Sequence, residues 1–192
     1  MSKVILSISM SVDGYVAGEN ITKETPMGED GERLHDWLFA GKTDADVKIS
    51  NDTFASTGAV ITGWGTYSIA IHDAWGGETP FTSPAFVLCK QMPDQKDIVP
   101  GFTFVTDGIE SALAQAKRAA GDKDIWVMGG ANVAQQYLKA GLLDELHLNI
   151  APVIFTKGRR LFENIGSEHI SLEAIRNIHT PAADHIFYRV VK

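Results

Sequence analysis

An α/β domain built on a mixed, mostly parallel sheet flanked by helices is the class this sequence predicts, on three observations. Strand candidates rich in Val and Ile run through glycine turns into helix candidates at Ala59–Thr62 and again at Ile125–Met128, the alternation that builds parallel sheets. The last third lacks it: Glu145–Ile150, His169–Ile178 and His185–Val191 are strand candidates without a strong helix between them, which predicts antiparallel pairing at one sheet edge. The chain has 192 residues, 44% of them apolar, enough for one core and too few for two independent domains, so residues 1–192 read as a single domain.

In chain order, Lys3–Met10 alternates and reads as the first strand, and Ser11–Gly31, rich in glycine, proline and acids, reads as a long loop. Glu32–Ala40 places Leu34, Trp37 and Leu38 on one helical face, with Gly41 as its stop. A second helix over Asp44–Ser56 is expected to bury Val47, Ile49 and Phe54 in part. After the strand Ala59–Thr62 come Gly63-Trp64-Gly65-Thr66 and a short helical segment to Ile71. Ala85–Leu88 and Phe102–Val105 read as strands, and Asp107 with Glu110 gives a capping-box-like start to a helix ending at Ala120. Ile125–Met128 is then a buried strand, Gly129-Gly130 a turn, and Ala131–Ala140 a helix stopped near Gly141.

Composition removes several function classes. No apolar run approaches the ~18 residues of a membrane span. Met1-Ser2-Lys3 leads into a strand without a basic region and cleavage site, and the single Cys89 has no disulfide partner, so a cytoplasmic protein is expected. The net charge of −7, with Lys117-Arg118 and Arg159-Arg160 the adjacent basic pairs, disfavours nucleic acid as a partner. The six histidines have no metal-ligand spacing, so no metal is expected. No Gly-x-Ser-x-Gly elbow is present, and Cys89 has no evident paired histidine, which lowers the case for covalent hydrolysis.

The strongest site signal is Met128-Gly129-Gly130-Ala131-Asn132-Val133, a strand ending in two glycines where a helix begins. Unpaired amides and the partial positive charge at a helix start favour a phosphate, and glycines let a ligand approach the backbone. The alternative is a tight turn that needs glycine for its dihedrals. Gly63-Trp64-Gly65-Thr66 is a second such turn, and neither matches the Gly-x-Gly-x-x-Gly or Walker pattern. Leu88-Cys89-Lys90 ends another strand, where a lysine suits a ribose 2′-phosphate or is simply solvated. Asp13, before Gly14, either contacts substrate or makes a turn. Asp36, beside Trp37 and near Phe39, either sits in an apolar pocket that raises its pKa for proton donation or is a solvated helix residue. Trp64 and Trp75 are the tryptophans better placed for a ligand, Trp37 and Trp126 for packing.

Together Ser11-Val12-Asp13-Gly14-Tyr15-Val16-Ala17-Gly18, Gly63-Trp64-Gly65-Thr66, Val127–Val133 and Leu143–Leu148 leading to Ala151-Pro152-Val153 resemble the dihydrofolate reductase superfamily. Within it, they resemble the reductases similar to the carboxy-terminal domain of the bifunctional riboflavin-pathway deaminase-reductase. The resemblance implies a homodimer and NADPH across the carboxyl ends of the strands. It places Gly63, Gly65 and Thr66 at the cofactor phosphates, Leu88, Cys89 and Lys90 near the adenosine ribose, Gly129–Val133 at the pyrophosphate, and Ser9, Val16 and Ala17 facing the nicotinamide. Asp36 takes the place of the acid that folate reducers use, with Asn149 opposite it. Two departures stand out: Trp64 replaces the family's usual arginine, and no arginine lies between Tyr67 and Val87, where folate reducers hold the glutamate carboxylate. Folate is therefore disfavoured, since that contact is worth roughly 1.5–3 kcal/mol.

The leading expectation is hydride transfer from NADPH to a pteridine-like or aminopyrimidine-like heterocycle. The alternatives are a non-catalytic nucleotide- or pterin-binding module, and a dimer assembled through an exposed strand such as His185–Val191.

Overall fold

The computed structural model describes residues 2–192. The elements follow as β1 (Val4–Ser11), β2 (Tyr15–Ala17), a 3₁₀ turn (Gly31–His35), α1 (Asp36–Phe39), α2 (Asp44–Ser56), β3 (Thr57–Gly63), α3 (Trp64–Ala70) and β4 (Ala85–Leu88). After a short 3₁₀ turn come β5 (Phe102–Val105), α4 (Ile109–Ala120), β6 (Asp124–Gly129), α5 (Ala131–Lys139), β7 (Glu145–Ala151), β8 (Arg159–Arg160), β9 (Leu172–His179) and β10 (Asp184–Val190).

Eight strands form one sheet in the order β5-β4-β3-β6-β1-β7-β10-β9. The run from β5 to β7 is parallel, and β10 and β9 add antiparallel. Strands buried on both faces need continuous apolar sequence, and β3 is buried along its whole length. On one face, α4 and α5 bury Leu113, Ala116, Tyr137 and Leu138 against Leu6, Ile61 and Val127. On the other, Tyr67, Phe81 and Phe102 pack over β3 and β4, and Trp37 and Ile49 pack on Phe187 of β10.

Several expectations are corrected. The stretch read as a loop over Ser11–Gly31 contains β2, which pairs antiparallel with β8; both strands are too short for a visible alternation. The helix read over Glu32–Ala40 is a 3₁₀ turn followed by the single turn α1. Asp107 and Glu110 form no capping box: Gly108, at φ 94, is the N-cap of α4 and no side chain caps that helix. A capping box does form on α2, between Thr43 and Asp46. In α2 only Ile49 of the three expected apolar residues is buried, Val47 and Phe54 staying exposed. β10 is not an edge, because β9 covers it and is itself the edge. Trp75 stacks on Phe102 and meets Phe81 edge-on, so its ring packs the core instead of awaiting a ligand.

Candidate active site

Open parallel sheets bind ligands beyond the carboxyl ends of their strands, where successive connections leave in opposite directions. Here β3 leads on to β4 and β5 on one side, while β6 returns between β3 and β1 and β7 lies beyond β1. The strand ends at that junction are Thr62-Gly63, Met128-Gly129, Ser9–Ser11 and Asn149–Ala151.

The two glycine turns read from the sequence are joined here. Thr62 Oγ1 donates to the Gly129 carbonyl at 3.0 Å, and Gly130 N donates to Thr66 Oγ1 at 3.1 Å. A Cβ on Gly63 would lie 2.8 Å from Val133 Cγ2, and one on Gly130 would lie 3.1 Å from Thr66 Oγ1. Gly129 has φ 112, a region that L side chains avoid, and the Gly129-Gly130 peptide is cis. Close packing against Val133 calls for glycine at 63, the positive φ calls for it at 129, and at 130 a side chain would crowd Thr66. Gly65 differs: it is exposed, and a Cβ there meets nothing within 4 Å. No side chain caps α5, so the amides of Ala131, Asn132 and Val133 stand at an open helix start. The residues present fit a dinucleotide phosphate on three counts: two converging turns, unpaired amides, and room above Gly65.

Trp64 is half-buried, its ring 5.6 Å from that of Tyr67 and 6.3 Å from that of Phe104, so its contribution to the turn is its backbone. At the end of β4, Leu88 is half-buried, and burial pushes the Cys89 thiol up while its Sγ faces the Val105 carbonyl. Lys90 is exposed with no carboxylate partner among the described residues.

On the other side of the junction Ser9 and Asn149 are register partners on β1 and β7, and His185 on β10 pairs with Asn149. Paired residues share a sheet face, so the three make one buried polar row. Trp37 roofs it: Nε1 donates to Ser9 Oγ at 2.9 Å and the indole meets the His185 ring edge-on at 4.9 Å. Asp46, from the capping box of α2, lies 2.8 Å from His185 Nε2 and accepts from the Thr180 hydroxyl at 2.9 Å. Burial pushes Asp46 up, but hydrogen bonds from Thr43, His185 and Thr180 outweigh it and hold the carboxyl below its usual range. Val16 is buried and Ala17 half-buried on β2, beside β1.

The two acids read from the sequence are placed differently. Asp13 Oδ1 accepts from Ser11 Oγ and Phe155 N, and Oδ2 from Thr156 N. Partial desolvation works against its ionisation, yet these donors prevail and hold it at about 2. Its carboxylate ties the turn after β1 to the segment after β7, the turn role that was one of its two readings. The apolar pocket expected around Asp36 is absent: Asp36 is exposed, Phe39 is 78% exposed, and Trp37 turns inward.

Sequence reasoning missed Asp46, His185 and His35. Thr43-x-x-Asp46 was a legible capping signal, and His185 stands at a core-facing position of an alternating strand. His35 Nδ1 is the one buried side-chain polar atom without a partner among the described residues; burial lowers this ring to about 4, against the opposing charge of Asp36. Two concavities lie away from this junction. One, of about 630 Å³, is an open groove beside Leu138, Ile170 and Val190, and another of about 210 Å³ is lined by Lys3, Glu145, His147 and Arg176. Among the described residues no cluster of three or more potential metal ligands occurs, and no helix is long and apolar enough to cross a membrane.

Comparison with known proteins agrees with this architecture. The chain is 27% identical over 187 residues to the uncharacterized protein YyaP of Bacillus subtilis, covering 90% of this chain and 86% of that one. A Shewanella sp. PV-4 structure named for riboflavin biosynthesis superposes with TM-score 0.74 at 21% identity, over 99% of both chains. Dihydrofolate reductase from Enterococcus faecalis, complexed with NADP(H), superposes with TM-score 0.63 at 16% identity, over 98% of this chain and 97% of that one. The fold is dihydrofolate-reductase-like, and residues 2–182 match the model of the RibD C-terminal domain. With that match spanning nearly the whole chain, the protein belongs to the RibD C-terminal domain family.

Proposed function

We propose that this protein is an NADPH-dependent reductase of a small pteridine-like or aminopyrimidine-like heterocycle. The observation that carries the reading is the junction of Gly63–Thr66 with Gly129–Val133 at the carboxyl ends of β3 and β6, beside the polar row of Ser9 and Asn149. Family membership and the NADP(H) complex of the Enterococcus relative support it.

NADPH would supply the hydride from its nicotinamide ring. Gly63, Gly65, Thr66 and the amide of Trp64 would hold phosphate on one side, and Met128, Gly129, Gly130, Ala131, Asn132 and Val133 the pyrophosphate. Leu88, Cys89 and Lys90 would lie along the adenosine ribose, with the Lys90 ammonium free to meet a 2′-phosphate. Ser9, Val16 and Ala17 would border the nicotinamide, whose apolar flank excludes water from the path of the hydride. Asn149 would contact the heterocycle. Water reaching the exposed end of α1 would deliver the proton, since Asp36 has no apolar enclosure to hold one.

Absorbance loss at the nicotinamide band, with pterin and aminouracil probes at saturating NADPH, tests the reading. Turnover with either class supports it. Tight NADPH binding with no oxidation across all probes would favour the binding-module reading, which the exposure of Asp36 and the missing arginine also support. We further propose a homodimer through β9, whose eight residues are exposed nearly throughout, Leu172 at 40% and Ile175 at 43%.

A further inference from the structure

Asn149 lies towards the carboxyl end of β7, paired with Ser9 of β1, where open parallel sheets present their ligand crevice, and its environment dictates which end of its amide is available. Its Oδ1 is 2.7 Å from His185 Nδ1. The other ring nitrogen, Nε2, is 2.8 Å from Asp46 Oδ1; an amide oxygen and a carboxylate can only accept, so in this arrangement both ring nitrogens donate, Nδ1 to Asn149 and Nε2 to Asp46. Asp46 in turn is locked by three further donations to its carboxylate, Thr43 N at 2.6 Å and Thr43 Oγ1 at 2.7 Å to Oδ2 and the Thr180 hydroxyl at 2.9 Å to Oδ1, while its own backbone N donates to Thr43 Oγ1 at 3.4 Å. His185 is fully buried, Asp46 nearly so, and Trp37 closes the remaining side of the imidazole. Asn149 Nδ2, by contrast, has no partner among the described residues and is not sealed from solvent.

We propose that Asp46 and His185 are positioning residues that hold the Asn149 amide with its oxygen inward, so that its NH₂ faces the crevice as a donor. The substrate edge it reads must then carry an acceptor, an oxo group or an unprotonated ring nitrogen, and a ring presenting an amino group at that edge is rejected because two donors would face each other. This rests on the reductase reading for the identity of the ligand as a heterocycle; the orientation of the amide does not. Beside it, Ser9 Oγ accepts from Trp37 and keeps its O–H to donate, and Asp13, outside the row, is committed to its turn. A buried carboxylate–imidazole pair reaching a single amide fits the general rule that a site's polar groups are aimed by the groups behind them.

The test has a readout that needs no turnover. In ¹⁵N-labelled full-length protein, the Asn149 side-chain amide pair is assigned by its loss in Asn149→Asp. The expected result is rapid exchange of those protons with water, and a shift of the pair when 7,8-dihydropterin or 5,6-diaminouracil is added to the NADP⁺-saturated protein. In His185→Gln and Asp46→Asn, the NADPH dissociation constant should stay within about twofold while KM for the responding probe rises at least tenfold; a purely structural role would move both together. Amide protons shielded from water, or signals unmoved by both probes, would overturn the proposal. A wild-type protein that fails to bind NADPH would instead sink the reductase reading, with the amide orientation still read directly from the exchange rate.

Discussion

His35 titrates in the folded chain at about 4 because burial disfavours its charge, whereas an unfolded histidine titrates near 6.5. Between those values the unfolded chain binds a proton that the folded chain does not, so stability is intact above pH ~6.5 and falls as the pH drops towards 4. The expected loss from this group is about 2–3 kcal/mol by pH 4, measured by urea unfolding across that range; His35→Phe should flatten that part of the profile, and an unchanged slope would contradict the burial argument. Gly65 offers a separate test. Because a Cβ there meets nothing and the residue lies in α3, Gly65→Ala should leave stability equal or raise it by up to ~1 kcal/mol, while weakening NADPH at least tenfold if a phosphate occupies that space. Gly63→Ala, facing Val133 Cγ2 at 2.8 Å, should lose stability and affinity together. The glycines were legible in the sequence because a strand, two glycines and a helix start form a local pattern. The row of Ser9, Asn149 and His185 was not, since its members lie on β1, β7 and β10 and only sheet order makes them neighbours.

Among elements, boundaries were legible where the signal is local. The bounds of α2, β4 and β5 coincide with the sequence reading because Thr43 caps the first and short apolar runs between turn residues delimit the others. α1 and the 3₁₀ turn before it were misread as one helix: the apolar face of Leu34, Trp37 and Leu38 suits either geometry over so few residues. The edge position of β9 was hidden for a different reason, as pairing order is a long-range property that no periodicity reports. Two predictions belong here. Thr43→Ala removes the side-chain half of the α2 capping box, in which Oγ1 accepts from Asp46 N, and the hydroxyl clamp on buried Asp46, leaving the Thr43 backbone donation in place, so it should lower unfolding free energy by about 1–2 kcal/mol, read from urea midpoints. Ile175→Lys on the exposed β9 edge should shift a light-scattering dilution series towards monomer with no loss of melting temperature in dilute samples; an unchanged copy number would place the dimer contact elsewhere.

At the scale of the whole molecule, the sheet order explains why two weak motifs become one site. β6 inserts between β3 and β1, which brings Gly129-Gly130 against Thr62 and Thr66 from a segment more than sixty residues earlier, and places both beside the polar end of β1 and β7. With a net charge of −7, the proposed anionic cofactor would rely on local donors, the α5 amides and Lys90, against an unfavourable overall field. The most direct measurement is therefore a fluorescence titration of the purified protein with NADPH and with NADH, repeated on Lys90→Gln. The account predicts saturable NADPH binding, a preference over NADH, and a reduction of that preference in the variant; saturation by neither nucleotide would contradict it and return the paired glycines to the role of tight turns.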